Sequence, residues 1–215
     1  MNYLAHIFLS GSDKKMQFGN FIADAVKGSS YNKYPPAIRD GILLHRAIDS
    51  FTDTHPAVKE YIRMMRPYFG RYSGILLDIF FDYILASRFN EYSGISLQHY
   101  TKRFYLTIIW NIRWLPAAIK RFILHFIMTD RLCKYETIEG IKNSLKIMEK
   151  ADRLKISAEK ATEYLIRHEQ EIQTVFRLLF SDLNILCEEY IHTNDRPGYL
   201  KNMLKKPEVS APIIL

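Results

Sequence analysis

The residues best suited to chemistry lie on one helical period. His45, Asp49 and Asp53 fall at i, i+4 and i+8. At roughly 100° per residue they drift by only about 80°, so one stripe of a helix carries all three. Ile38 and Ile42 continue the stripe toward the N-terminus. Polar groups that extend an apolar stripe are not on a simple solvated face. If buried, they must be hydrogen-bonded, paired or bound to a metal. Asp78 and Asp82 repeat the one-turn spacing within Leu-Leu-Asp-Ile-Phe-Phe-Asp-Tyr-Ile-Leu. Like charges one turn apart repel even on an open helix, and far more among apolar neighbours unless a cation neutralises them. Asp24, in Gly-Asn-Phe-Ile-Ala-Asp, and His6, in an apolar N-terminal stretch, complete the candidates.

One or two histidines with several aspartates form a hard, oxygen-rich donor set. It suits Mg²⁺ or Mn²⁺ better than structural Zn²⁺. Such an ion polarises a phosphoryl oxygen and acidifies a bound water. Plainer explanations stand beside this one. His45 can be a satisfied helix side chain, Asp49 or Asp53 can pair with Arg46 or a lysine, and Asp53 can cap a helix opening at Pro56. His55, His99, His125, His168 and His192 show no ligand spacing and read as structural or surface residues. No phosphate-cradling glycine loop, Gly-x-Ser-x-Gly or Cys-x-x-Cys is present.

The elements that must position these groups are helical nearly throughout. The pattern predicts helices at about 18–26, from Pro35-Pro36 to Thr54, at 56–65, 73–89, 97–112, 116–132, 137–150 and 157–190, the last long enough to break. Proline at the start of the second is tolerated because its missing N–H is unpaired there anyway. The helix at 73–89 is apolar on most sides and should be central. No convincing strand pattern, repeat or linker is visible. The expected architecture is all-α, one helical domain over 1–191 followed by an irregular basic tail at 192–215 that contains three prolines.

Composition agrees with a globular chain: 215 residues, 48% hydrophobic and 25% charged. Two cysteines make no disulfide framework, and no signal peptide is visible, so a reducing cytoplasm is the expected compartment. A net charge of +7 favours an acidic partner without choosing one. The segment from Phe104 to Met128 is apolar but interrupted by Asn111, Arg113, Pro116, Lys120, Arg121 and His125. It fails as a spanning helix. An interfacial element is one reading; a core helix pair with a basic outer face is the simpler one. No nucleic-acid module is recognisable, and no nucleic-acid partner is expected.

Several of these motifs, taken in order, closely resemble the acyl carrier protein phosphodiesterase family. They are Met1-Asn2-Tyr3-Leu4-Ala5-His6, Gly19-Asn20-Phe21-Ile22-Ala23-Asp24, Gly41-Ile42 with His45-Arg46-Ala47-Ile48-Asp49, Thr52-Asp53, and Asp78 with Asp82. The resemblance implies an all-helical, divergent relative of the HD phosphohydrolases. It implies hydrolysis of the phosphodiester joining 4′-phosphopantetheine to a serine of holo acyl carrier protein. It further implies a divalent metal, typically Mn²⁺ with Mg²⁺ as the alternative. Carried over by position, Asp24, His45, Asp49 and Asp78 are the metal ligands, with His6, Asn20, Arg46, Asp53 and Asp82 around them. The chain departs from ordinary HD proteins in that its His and Asp are one turn apart, not adjacent. Two other readings stay open: a related hydrolase of nucleotides or small phosphodiesters, and a non-catalytic module that binds an acidic protein or anionic membrane through 102–134. The residues do not set the oligomeric state.

Overall fold

The computed structural model describes residues 3–151, 154–193, 196, 198 and 199. Among these every regular element is a helix. In chain order they are α1 (Tyr3–Leu9), α2 (Lys14–Ile22), α3 (Pro36–Thr54), α4 (Pro56–Phe69), α5 (Ser73–Ser87), α6 (Phe89–Tyr92), α7 (Leu97–Trp110), α8 (Ala117–Lys120), α9 (Ile123–Met128), α10 (Ile138–Lys150), α11 (Ala158–Arg167) and α12 (Glu169–His192). Short 3₁₀ turns fill several junctions, including Ala23–Ala25 and Ser30–Lys33. No described helix is long and apolar enough to cross a membrane.

Helix α5 is the central post. Leu76, Leu77 and every residue from Ile79 to Ala86 are buried, which is what its all-round hydrophobicity predicts. Helices α1, α4 and α12 pack directly on it, and α12 also reaches α3. Phe18, Phe80, Phe81, Phe104, Phe176 and Phe180 fill the interior.

Helices α2 and α3 form the closest pair, through two glycines. A Cβ at Gly19 would overlap the Ile38 carbonyl, and one at Gly41 would overlap the Met16 carbonyl. Each helix therefore presses its backbone into the other, bringing Asn20 and His45 within hydrogen-bonding reach.

Several boundaries differ from expectation for identifiable reasons. Helix α2 begins at Lys14, because Asp13 caps it by accepting from the Lys15 and Met16 N–H groups at 2.8 and 3.1 Å. Helix α1 is capped from a distance, by the Asp82 carboxylate 78 residues along the chain from Leu4. The expected helix at 116–132 is two short ones, α8 and α9, separated by a turn at Arg121 and Phe122. The long helix at 157–190 breaks at His168, whose φ is −114°. Both cysteines are free thiols. Of the tail, Arg196 pairs with Asp40 at 2.7 Å and the Tyr199 hydroxyl donates to Glu189 at 2.6 Å; residues 200–215 lie outside the described ones.

Candidate metal centre

Three elements converge on His45. Its Nδ1 lies 2.9 Å from Asn20 Oδ1 on α2, and its Nε2 lies 3.1 Å from Asp49 Oδ2 one turn on and 3.3 Å from Asp24 Oδ1 in the 3₁₀ turn. The fourth contribution comes from α1. The His6 ring stacks on the His45 ring with centroids 4.0 Å apart, and its Nε2 approaches the other Asp49 oxygen at 3.1 Å. His6, His45 and Asp49 each offer one atom within a common 4.8 Å, a geometry that can hold a metal ion.

The supports extend outward. The Asn20 amide donates to the Ser10 hydroxyl at 2.8 Å, which donates to the His6 carbonyl at 2.9 Å. This chain ties the His6 backbone to the residue that orients His45. Such outer partners fix the tautomer and angle of an imidazole ligand. Arg46 Nη2 donates to the Val26 and Gly28 carbonyls at 2.9 and 2.8 Å, and its guanidinium lies 5.0 Å from the Tyr31 ring centroid. Gly28, at φ +54°, supplies a turn that other residues adopt only with strain. Arg46 therefore fixes the loop that follows Asp24.

The electrostatics separate the two histidines. Burial, reinforced by the neighbouring His45, holds the His6 imidazole down to about 4. Burial also works against charge on His45, but hydrogen bonds to Asp24 and Asp49 outweigh it and push His45 up to about 9. Burial alone would raise Asp49, yet the two imidazoles hold it well below the ordinary carboxylate range. The hydrogen bond from His45 lowers Asp24. Asp78 is raised, first by burial and further by Asp49 and Asp53. Several carboxylates thus repel across one small region.

The structure brings His6, Asn20, Asp24, His45 and Asp49 together and sets Arg46 behind the loop carrying Asp24. Asp78 lies close enough to feel Asp49 but outside the three-residue cluster. Asp53 is exposed in the last turn of α3; the cap of α4 is His55, without a side-chain hydrogen bond. Asp82 is fully buried, and its two oxygens accept from the Leu4 and Ala5 N–H groups at 3.0 and 3.2 Å. It anchors the helix that carries His6. The resemblance sets His6 among the surrounding residues, and nothing in its spacing links position 6 to position 45. The buried His6 Nδ1 has no hydrogen-bond partner, and Nε2 faces only the Asp49 carboxylate. An unsatisfied buried ring nitrogen is costly and fits a ligand position. The other histidines do structural or surface duty, as with His55 against Asp182 at 3.3 Å.

Residues 1–183 match the family described as acyl carrier protein phosphodiesterase. The protein of that name from Yersinia pestis is 30% identical over 178 residues, which cover 82% of this chain and 92% of that one. The one from Serratia proteamaculans is 34% identical over 151 residues, covering 67% and 76%. The one from an Enterobacter species is 39% identical over 93 residues, covering 43% and 48%. No solved structure matches this chain. With the matched region spanning every residue of the centre, from His6 to Asp82, the chain belongs to the acyl carrier protein phosphodiesterase family.

Proposed function

We propose that this protein is a metal-dependent phosphodiesterase that removes 4′-phosphopantetheine from the serine of holo acyl carrier protein. Family membership supports the reaction class and the protein substrate. The observation that carries the metal is the buried His6 imidazole, stacked on His45 with its Nε2 3.1 Å from the Asp49 carboxylate, three groups that together offer ligand atoms within reach of one ion. His6, His45 and Asp49 would hold the ion, with Asp24 and Asp78 supplying further negative charge. Mn²⁺ is the preferred ion, and Mg²⁺ the alternative. When bound, the ion supplies Lewis acidity toward a phosphoryl oxygen and toward water.

The chain's own residues do the rest. Asn20, accepting from Nδ1, leaves His45 Nε2 directed at Asp24 and Asp49. Burial holds His6 neutral, so one of its ring nitrogens presents a lone pair to an ion. Arg46 keeps the Asp24 loop in place and adds a fixed positive charge for an incoming phosphate. We place the site with the divergent HD phosphohydrolases, with His45 and Asp49 one turn apart in place of the adjacent pair.

The test is the intact mass of holo acyl carrier protein after incubation with Mn²⁺ or EDTA. Loss of the prosthetic group with Mn²⁺ only is the expected result. An unchanged mass with metal confirmed on the enzyme would overturn the substrate, and cleavage in EDTA would overturn the metal.

A further inference from the structure

Between Glu91 and Asp130 the chain has no acidic residue, but it has five cations: Lys102, Arg103, Arg113, Lys120 and Arg121. All five are exposed. The same stretch exposes large apolar side chains at the end of α7 and along α8–α9. Met128 is 84% exposed, Leu124 68% and Trp110 67%, with Ile109, Ile112 and Phe122 also outside. Helices α7 and α9 are joined from within, where Tyr105 packs edge-on against Phe126 at 6.2 Å. Both tryptophans of the chain lie here, and each carries a cation on its ring. Lys14 sits 5.0 Å from the centroid of Trp110, and Arg113 sits 5.2 Å from that of Trp114. None of these residues belongs to the metal centre.

We propose that this face docks on the surface of an anionic lipid bilayer. Apolar side chains protruding among cations, on a stretch of chain without any acid, match a surface that is negative above and apolar beneath. Tryptophan paired with a cation suits the boundary between headgroup and acyl chain. A bilayer requires no shape complementarity, so the broken path through α8 and α9 is no obstacle. No described helix can span the bilayer, which limits the contact to one leaflet.

The experiment uses the full chain and vesicles of phosphatidylcholine with or without phosphatidylglycerol. Binding is read by co-sedimentation and by tryptophan emission, which reports on this face alone because it holds both tryptophans. The expected result is a blue shift and sedimentation with anionic vesicles only, weakening with salt. Lys120→Gln and Arg121→Gln should each lower partitioning about fivefold, the ratio equivalent to ~1 kcal/mol per cation near such a surface. Leu124→Ser with Met128→Ser should lower it about tenfold or more. Both positions are solvent-facing, and circular dichroism checks that the variants remain folded. No shift with anionic vesicles, or equal binding to neutral ones, would overturn the proposal. So would vesicle binding that the Leu124 and Met128 substitutions leave intact while the KM for holo acyl carrier protein rises, which would assign the face to a protein. Vesicle binding needs no turnover, so its failure is distinct from failure of the phosphodiesterase reading.

Discussion

Asp82 should impose a measurable pH dependence on stability. Its carboxylate is fully buried and accepts from the Leu4 and Ala5 N–H groups. Burial pushes its carboxyl from 3.8 up to about 7, while the two N–H groups pull the other way. Between those values the folded state holds the proton more firmly than the unfolded chain does. Its stabilising contribution is therefore complete below about pH 4 and lost as pH rises through about 7. At about 1.36 kcal/mol per pH unit the whole displacement is worth roughly 4 kcal/mol. Roughly 3 kcal/mol of it falls between about pH 5 and 8. Urea unfolding of wild type and Asp82→Asn at those two pH values, in EDTA, reads this group together with its coupling to Asp78, because the more distant titrations are shared and cancel in the difference. The wild-type-minus-variant stability should drop by roughly 3 kcal/mol from the lower pH to the higher. Parallel pH profiles for the two proteins would refute the reasoning.

Asp49→Ala should abolish both metal retention, measured by elemental analysis, and cleavage of holo acyl carrier protein; undiminished metal and activity would remove Asp49 from the ligand set. Asn20→Ala should weaken metal affinity about 10–100-fold by freeing the His45 ring, as losses of outer partners do, with isothermal titration as the measure. Gly41→Ala should lower stability by about 1–3 kcal/mol through overpacking against the Met16 carbonyl, read as a fall in Tm, with activity falling in parallel. Chelation should lower the Tm of wild type more than that of Asp49→Ala, because a ligand that binds only the folded state stabilises it by about 2.7 kcal/mol at a hundredfold excess over Kd.

Much of this is legible in the amino-acid sequence. The His45–Asp49 stripe, the opening of α3 at paired prolines and the central place of α5 follow from local period and proline chemistry. Two things are not. Helix α1 is short, and its capping carboxylate is Asp82, far along the chain, so no window around position 6 announces it. The grouping of His6 with His45 depends on α1 docking beside α3, a tertiary event with no spacing signature. The break at Phe122 is a matter of packing. Leu115, Ile119, Ile123 and Phe126 all turn inward at near-helical intervals, so the pattern of burial survives where the helix does not.

The capping of α1 by Asp82 also orders events in time. His6 reaches the centre only when its helix is held, and the group that holds it emerges from the ribosome about eighty residues later. Closing so long a loop is slow compared with forming α3 locally. During refolding, His45 and Asp49 should share a helix well before His6 joins them. Tight metal uptake then becomes a late step and a marker that the N-terminal helix has docked.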